Sequence, residues 1–259
     1  MPLALTRAVS PAITRCELTH VPREPIDVAR ACAQHEAYER TLAELGCTVH
    51  RIPADAELPD SVFVEDACVV VDELAVITRP GAPSRRPETL AVTDALRRHR
   101  RLACIEPPGT LDGGDVLRIG RAVYVGQSTR SNAAGIDQLG RLLAPHGYTV
   151  TGVPVRDCLH LKSAVSAVGR DAILVNRRWV DPASFRDVRI LDVDPAEPTG
   201  ANALLIGDRV VYPVAFSATR RRLEAAGVTI EAVDVSELQK AEGGVTCCSV
   251  IVEQPQLHS

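Results

Sequence analysis

A structural unit that recurs five times is the feature that most constrains how this 259-residue chain can fold. Each unit contains a loop, a hairpin of two short apolar strands, an amphipathic helix and a further strand, with a period of about 45 residues. Such a period predicts an array in which every unit buries its apolar face against its neighbours. An open α/β sheet with coincidental spacing is the alternative, but the constant order of elements favours the array.

Four of the predicted hairpins are complete, and the fifth, GGVTCCSVIVE at 243–253, lacks its second strand. An N-terminal apolar segment at 3–10 is the obvious donor of that strand, and its pairing would close the array into a ring. Helical spacing of apolar residues predicts helices at 26–45, 88–101, 132–146 and 218–226, whereas 179–193 is poor in helix signals. The sequence therefore predicts one domain over residues 1–259, a five-bladed α/β propeller of loop–hairpin–helix–strand modules closed by the N-terminal strand.

Composition excludes several classes of protein. Apolar residues make up 46% of the chain and the formal net charge is -4, which favours a soluble globular protein and argues against a nucleic-acid partner. No apolar run approaches the ~20 residues of a membrane span, and the N-terminal residues lack the basic start and apolar core of a signal peptide. We therefore expect a cytoplasmic protein with neither a nucleic acid nor a membrane as partner.

Eight cysteines are present, with neither a CxxC pair nor a regular spacing, and in a reducing compartment they are interpreted as free thiols. Cys247 follows Gly243 and Gly244 where a tight turn enters a strand, a position that holds a nucleophile firmly while it faces open space. Cys248 is expected to point to the opposite face of the strand and to serve packing. Taken alone, the pair also fits two small buried hydrophobic residues, as most free cysteines are.

Chemically active side chains occupy one equivalent position of the repeated unit, the residue or two before the first hairpin strand. In a radial fold these positions converge on a common axis, so the repeat predicts a shared central cavity. The positions are Asp66, Asp112, His160, Ala201 or Asn202, and Cys247.

These groups have a defined chemical capacity. An imidazole such as that of His160 activates a nearby thiol and can protonate a leaving amine. Paired carboxylates would repel the oxyanion of a peptidase reaction but would clamp a planar guanidinium. Arg85 and Arg130 follow the first two hairpins and could bind a carboxylate, although each also fits an ordinary surface charge. The combination indicates free arginine or a relative as the ligand.

Five segments carry a resemblance to a known family: DSVFVEDACVV, ITRPGAPSRR, LDGGDVL, LHLKS and GGVTCCSV. In these segments and their spacing, over essentially the whole chain, the sequence resembles the dimethylarginine dimethylaminohydrolases of the guanidine-modifying, or amidinotransferase, superfamily. The resemblance implies a five-bladed α/β propeller without a cofactor. It also implies hydrolysis of asymmetric dimethylarginine or monomethylarginine to citrulline, with release of dimethylamine or methylamine through a covalent cysteine thiouronium.

The resemblance implies catalytic roles for three matching positions. Cys247 would be the nucleophile and His160 the general acid and base. Asp112 would orient His160 and help to hold the guanidinium. Some relatives carry Glu where this chain has Asp112, so the reach of the carboxylate differs while its role should survive.

The same resemblance implies substrate-binding positions in several loops, with Asp66 holding the guanidinium beside Asp112. Arg85 and Arg130 would bind the α-carboxylate, and Leu18 would lie in a mobile lid. Glu65 and Asp60 would belong to the substrate shell. The backbone around Ala241 would meet the amino-acid end of the substrate.

Two other classes of function stay open. One is an arginine deiminase acting on unmethylated arginine, although the chain lacks room for the extra helical insertion associated with deiminases. The other is a non-catalytic protein that binds arginine or zinc, since a thiol beside an imidazole and carboxylates can capture zinc. In the hydrolase no metal is expected, and zinc at Cys247 and His160 would inhibit. A methylated arginine is the expected small-molecule partner of a monomer or homodimer.

Overall fold

Fifteen short strands in five three-stranded sheets form the framework of the computed structural model, which describes residues 1–253. We number the sheets as blades 1 to 5. Blade 1 contains β1 (Leu3–Arg7), β2 (Thr48–Ile52) and β15 (Val250–Val252), and blade 2 contains β3 (Cys68–Val70), β4 (Leu74–Ile77) and β5 (Arg101–Cys104). Blade 3 contains β6 (Val116–Ile119), β7 (Ala122–Gln127) and β8 (Thr149–Pro154). Blade 4 contains β9 (Val165–Ala167), β10 (Ala172–Val175) and β11 (Arg189–Asp192), and blade 5 contains β12 (Leu204–Ile206), β13 (Arg209–Pro213) and β14 (Thr229–Val233).

The same topology recurs in blades 2 to 5. The first two strands pair antiparallel as a hairpin, and the third strand pairs parallel with the second. A parallel pair requires a crossover connection. The helices that supply crossovers are α1 (Val28–Glu44) in blade 1, α2 (Thr89–Leu96) in blade 2, α3 (Ala133–Leu143) in blade 3 and α5 (Ser217–Ala225) in blade 5. The crossover of blade 4 has only a 3-10 turn, Pro182–Ser184, as the helix-poor stretch at 179–193 predicted.

Two shorter helices lie in loops, α4 (Leu161–Ala164) before β9 and α6 (Ser236–Gln239) after β14. The longest helix, α1, has 17 residues. Nowhere in residues 1–253 does a helix combine the length and the apolar character of a membrane span.

The two ends of the described chain meet in blade 1. Strand β1 pairs antiparallel with β15, so that Leu3 lies opposite Val252 and Leu5 opposite Val250. The other edge of β1 pairs parallel with β2. The N-terminal strand therefore completes the fifth hairpin, which confirms the predicted closure.

Apolar packing continues this closure around the molecule. Five buried clusters each combine residues of two neighbouring blades, and the cluster between blades 5 and 1 completes the ring. Within a strand, successive side chains serve different clusters: Ile173 packs between blades 3 and 4, whereas the adjacent Leu174 packs between blades 4 and 5. Side chains of a strand alternate between its faces, so the blades are buried on both sides. The five-bladed α/β propeller predicted from the repeat is confirmed.

Several predicted boundaries are wrong. The second helix was predicted at 88–101 but ends at Leu96. Arg101, its predicted last residue, instead begins β5 and pairs with Leu74. The segment 105–108, predicted as strand, follows β5 as an irregular connection. The last strand begins at Val250, so Cys247 and Cys248 lie in the turn before it. Alternation along a strand therefore does not separate their side chains, although Cys248 does belong to the apolar core.

Candidate active site

The equivalent loops of several blades converge on two adjoining cavities. An inner cavity of about 20 Å³ and an outer one of about 380 Å³ share the side chains of His160 and Cys247. The predicted convergence is therefore present, but the 3-10 turn Gly113–Asp115 separates Asp112 from β6, and helix α4 separates His160 from β9. The predicted offset of one or two residues is too short for Asp112 and His160 for this reason.

Cys247 lies in a turn built by close backbone approach. The Gly244 amide donates to the Cys247 Sγ at 3.3 Å, and the Cys247 amide donates to the Gly244 carbonyl at 3.2 Å. A Cβ on Gly243 would lie 2.1 Å from the Phe63 ring, and one on Gly244 would lie 2.3 Å from the Asn202 Oδ1. No larger residue fits at either position without displacement of these groups, which is the packing reason for the two glycines.

The thiol of Cys247 is held in its protonated form. Burial raises its pKa to about 12, and the negative charges of Glu65 and Asp66 add to the rise. The Gly244 amide opposes this rise by donating to the sulfur. A positive charge brought into the cavity would therefore be needed to favour the thiolate.

His160 lies between two carboxylates. Its Nε2 lies 3.1 Å from Asp112 Oδ2, and its Nδ1 lies 3.8 Å from Asp66 Oδ1. All three side chains are buried. Burial alone would lower the pKa of His160, but the carboxylates of Asp66, Asp112 and Asp115 raise it to about 9. The imidazole is therefore a protonated group that can act as an acid at neutral pH.

Asp66 is ionised and firmly held. Its Oδ1 accepts from the Gly114 amide at 2.9 Å, and its Oδ2 accepts from the Arg85 Nη1 at 2.6 Å. Burial opposes ionisation, but His160 and Arg85 lower the pKa of Asp66 to about 2. A Cβ on Gly114 would lie 2.5 Å from the His160 Nδ1. The second glycine of LDGGD thus lets the backbone approach both the acid and the imidazole.

The two arginines line the inner cavity but differ in their partners. Arg85 donates to the carboxylates of Asp66 and Glu88 and to the carbonyls of Asp60 and Phe63. The carboxylates of Asp66 and Glu88 therefore already balance the positive charge of Arg85, which its position in the sequence did not reveal. The substrate-binding role of Arg85 stays a prediction.

Arg130 is less committed. It is 8% exposed, and its Nη2 donates to the Thr19 Oγ1 at 3.3 Å. Its buried Nη1 has no hydrogen-bond partner among residues 1–253 and lies 3.8 Å from Asp112 Oδ2. A buried guanidinium donor without an acceptor is costly unless a ligand supplies one.

Glu65 belongs to a network that the sequence prediction only partly included. Lys162 forms an ion pair with its carboxylate, and the Thr246 hydroxyl donates to Glu65 Oε2 at 2.7 Å. Asn202 donates to the Lys162 carbonyl and accepts from the Thr246 amide at 3.1 Å. Lys162 was missed, and its signal was its place two residues after His160 in LHLKS. Burial raises the pKa of Glu65 despite Lys162.

A loop near the N-terminus covers the inner cavity. The Glu17 amide donates to Asp60 Oδ2 at 3.2 Å, and Glu242 accepts from the amides of Thr19 and His20. Leu18 lies between these tethered residues. Ala241, 3% exposed, lines the same cavity, so the loop and the C-terminal segment meet there. Whether Leu18 moves as a lid stays a prediction.

The metal-binding capacity of the site is limited by its hydrogen bonds. Ligand atoms of Asp66, Asp112 and His160 lie within 4.8 Å of one another. Each of them already bonds within the site, His160 to Asp112 and Asp66 to Arg85 and Gly114. These contacts suit proton transfer and would have to break for a metal ion to bind.

Known proteins are similar in sequence to most of this chain. Residues 20–193 match the family described as N,N dimethylarginine dimethylhydrolase, eukaryotic. The N(G),N(G)-dimethylarginine dimethylaminohydrolase of Streptomyces coelicolor is 44% identical over 253 residues, covering 95% of each chain. The chain belongs to the dimethylarginine dimethylaminohydrolase family. The Pseudomonas aeruginosa member of this family is 35% identical over 226 residues, covering 86% of this chain and 89% of the relative.

Solved structures of dimethylarginine dimethylaminohydrolases have the same fold. The Pseudomonas aeruginosa protein in a cysteine-to-serine variant complexed with citrulline gives a TM-score of 0.92 at 33% identity, covering 96% of this chain and 98% of that one. A histidine-to-glycine variant in an adduct with S-methyl-L-thiocitrulline also gives 0.92 at 33% identity, covering 97% and 100%. The N-terminal domain of an arginine dihydrolase from cyanobacteria shares the fold at 18% identity with a TM-score of 0.84. The family predicted from the sequence is confirmed.

Proposed function

We propose that this chain is a dimethylargininase, a hydrolase that converts Nω,Nω-dimethyl-L-arginine and Nω-monomethyl-L-arginine to L-citrulline. The products released are dimethylamine and methylamine, respectively. The observation that carries the proposal is the juxtaposition of Cys247 and His160 at a cavity bounded by carboxylates and arginines. Related proteins that bear the dimethylarginine dimethylaminohydrolase name, one of them solved with citrulline, support it.

The charges of the inner cavity complement a methylated arginine. We assign the guanidinium to Asp66 with Asp112, because carboxylates match its planar set of N–H donors. Arg130 would bind the α-carboxylate through its unpartnered Nη1, with Arg85 on the same wall. Asp60 would accept the ammonium, since it lines the inner cavity and its Oδ2 holds the Glu17 amide only at a long 3.2 Å.

The remaining predicted positions complete the substrate shell. Glu65 would stand behind the guanidinium, held by Lys162 and Thr246. The backbone around Ala241 would meet the amino-acid end of the substrate, and Leu18 would lie in a lid over it, since both segments border the inner cavity. These assignments are supported by the positions of the residues.

The first chemical step forms a bond to sulfur. The bound guanidinium lowers the pKa of Cys247 by its positive charge, the thiol proton passes to solvent, and the thiolate adds to the central carbon. His160, protonated because its pKa is about 9, gives its proton to the methylated nitrogen. The bond from carbon to that nitrogen breaks, dimethylamine or methylamine leaves, and a thiouronium remains on Cys247.

The second step consumes water. His160, now neutral, removes a proton from a water molecule, and the resulting hydroxide attacks the thiouronium carbon. The carbon–sulfur bond then breaks, the hydroxyl proton of the tetrahedral intermediate passes to the departing sulfur, and citrulline leaves with the Cys247 thiol restored. Asp112, bonded to the His160 Nε2, holds the ring through both proton transfers. Thiol, imidazole and water suffice for this chemistry, so we propose that no cofactor takes part.

We extend the proposal to the setting of the enzyme. Residues 1–259 would form one catalytic domain, since the apolar clusters run continuously around all five blades. All eight cysteines are free thiols, which supports a reducing, cytoplasmic compartment. Zinc bound at Cys247 and His160 would block the nucleophile and inhibit.

Citrulline release from dimethylarginine, monomethylarginine and arginine tests the proposal. The wild type should turn over both methylated substrates, and Cys247→Ser should abolish turnover while still binding them. Cys248→Ser, at the adjacent core position, is the matched control and should retain activity if it folds. Turnover of arginine alone would favour a deiminase, and turnover of none would favour a binding protein.

A further inference from the structure

Asp115, the last residue of LDGGD, is a fully buried carboxylate to which the proposed chemistry assigns no contact with the substrate. Its Oδ1 accepts from the Leu161 amide at 2.9 Å. Its Oδ2 accepts from the hydroxyls of Ser128 at 2.5 Å and Ser131 at 2.7 Å. One carboxylate therefore ties two other segments, the loop at 128–131 and the start of α4, to its own turn.

Each of these connections leads to a candidate site residue. The amide bound by Oδ1 belongs to the residue that follows His160. The Ser131 hydroxyl accepts from the Asp112 amide at 3.1 Å, and the Ser128 hydroxyl accepts from the Arg130 amide at 3.0 Å. The imidazole, its orienting carboxylate and the carboxylate-binding arginine thus depend on one buried centre.

The surroundings of Asp115 leave it little freedom to move. A Cβ on Gly126, in β7, would lie 2.5 Å from the Asp115 Oδ1 and 2.9 Å from the Leu161 Cβ. The Asp115 amide also donates to the Asp112 carbonyl at 3.1 Å. Glycine at 126 therefore allows the carboxylate to pack directly against the strand, where a small shift of Asp115 would be passed on to its partners.

We propose that Asp115, Ser128 and Ser131 form a positioning network that aligns His160, Asp112 and Arg130 for the proposed reaction. The network has two branches. The Ser131 branch sets the orienting carboxylate and therefore proton transfer at the imidazole. The Ser128 branch sets the arginine and therefore the binding of the α-carboxylate. The kinetic part of this inference rests on the proposed function.

The two branches predict different kinetic effects, one mainly on kcat and the other mainly on KM. Ser131→Ala should lower kcat about tenfold or more with little change in KM, because a small displacement of catalytic groups has a large cost in rate. Ser128→Ala should raise KM about tenfold and lower kcat less than Ser131→Ala does, because the Ser128 hydroxyl accepts from the Arg130 amide at 3.0 Å and, at a longer 3.2 Å, from the Ser131 amide. Asp115→Asn should show both effects.

Ser166 offers a matched control. It is 1% exposed, and its hydroxyl accepts from the Ala203 amide at 3.1 Å, so Ser166→Ala removes the same kind of buried bond. It lies on β9, outside both cavities. Ser166→Ala should leave kcat and KM within about twofold of wild type. Equal losses in all three serine variants, or no split between kcat and KM, would overturn the network.

A spectroscopic readout separates this inference from the proposed function. In protein labelled with ¹⁵N-histidine, the His160 ring N–H bonded to Asp112 should give a downfield proton resonance. That resonance should persist in Ser166→Ala and be shifted or lost in Ser131→Ala, without any substrate. If it is unchanged in Ser131→Ala, the positioning role is wrong. If the wild type turns over no methylated arginine while the resonance responds as expected, only the proposed function fails.

Discussion

Removal of either carboxylate partner of Arg85 should have a similar effect on stability but a different effect on catalysis. Arg85, Asp66 and Glu88 are all buried, at 5%, 3% and 5% exposure. Loss of one partner from a buried ion pair costs about 3–5 kcal/mol. Because Arg85 keeps its second carboxylate in either variant, we expect Asp66→Asn and Glu88→Gln each to lower the free energy of unfolding by about 3 kcal/mol.

The kinetic effects should separate the two variants. Asp66 faces the inner cavity, and we assign it to the guanidinium, whereas Glu88 lies behind Arg85. A hydrogen bond to a charged group contributes about 1.5–3 kcal/mol, so Asp66→Asn should raise KM about 10- to 150-fold. Glu88→Gln should leave KM within about threefold of wild type.

Urea unfolding and citrulline release, measured on the same preparations below the unfolding transition, give both quantities. If the m-values are unchanged, the shifts of the unfolding midpoints report the two stability losses directly and can be compared. A rise in KM of equal size in Glu88→Gln and Asp66→Asn would refute the assignment of the guanidinium to Asp66. It would mean that both carboxylates act only by holding Arg85.

Three further predictions concern groups around the cavity. Because folding raises the pKa of His160 from 6.5 to about 9, its protonated form stabilises the fold below pH 6.5. The free energy of unfolding should therefore fall by about 3 kcal/mol as the pH rises from 6.5 through 9. Urea unfolding over this pH range should show a smaller fall in His160→Gln than in the wild type. Tyr38→Phe removes a buried hydroxyl that bonds to the Val245 carbonyl and the Ser249 hydroxyl, one before and one after Cys247 in the chain. It should lower the free energy of unfolding by about 1–3 kcal/mol, and an unchanged midpoint of urea unfolding would contradict this. Gly114→Ala, with a Cβ 2.5 Å from the imidazole, should abolish citrulline release, whereas Gly140→Ala, with its nearest contact at 3.7 Å, should not.

The ring of blades was predictable from local signals. Runs such as CVVV and LAVIT flank a short turn, so their pairing as β3 and β4 requires no knowledge of distant residues. The partner of the fifth hairpin followed by elimination, because the segment at 3–10 had no other hairpin to complete. Element ends were less predictable: Arg101 continues a helical pattern, yet pairing with Leu74 makes it the first residue of β5. Tertiary pairing decided that boundary over local propensity.

The site was predictable only where repeat position and motif coincide. His160 and Cys247 precede hairpins at equivalent places, so the radial fold alone implies that they meet. The ion pair of Lys162 with Glu65 joins residues of different blades, and no spacing within one blade encodes it. Asp115 illustrates the same limit, since its partners lie up to 46 residues away and its burial follows from packing against β7.

Mass spectrometry of Cys247 during turnover tests the central claim most directly. Enzyme mixed with dimethylarginine, or with monomethylarginine, is quenched in acid and digested, and the mass of the peptide that contains Cys247 is measured. The methylated amine leaves before water attacks, so both substrates should give the same thiouronium adduct on this cysteine. Adducts that differ by a methyl group would show that the unmethylated nitrogen leaves instead. No adduct on Cys247, with citrulline still released, would contradict covalent catalysis by this residue.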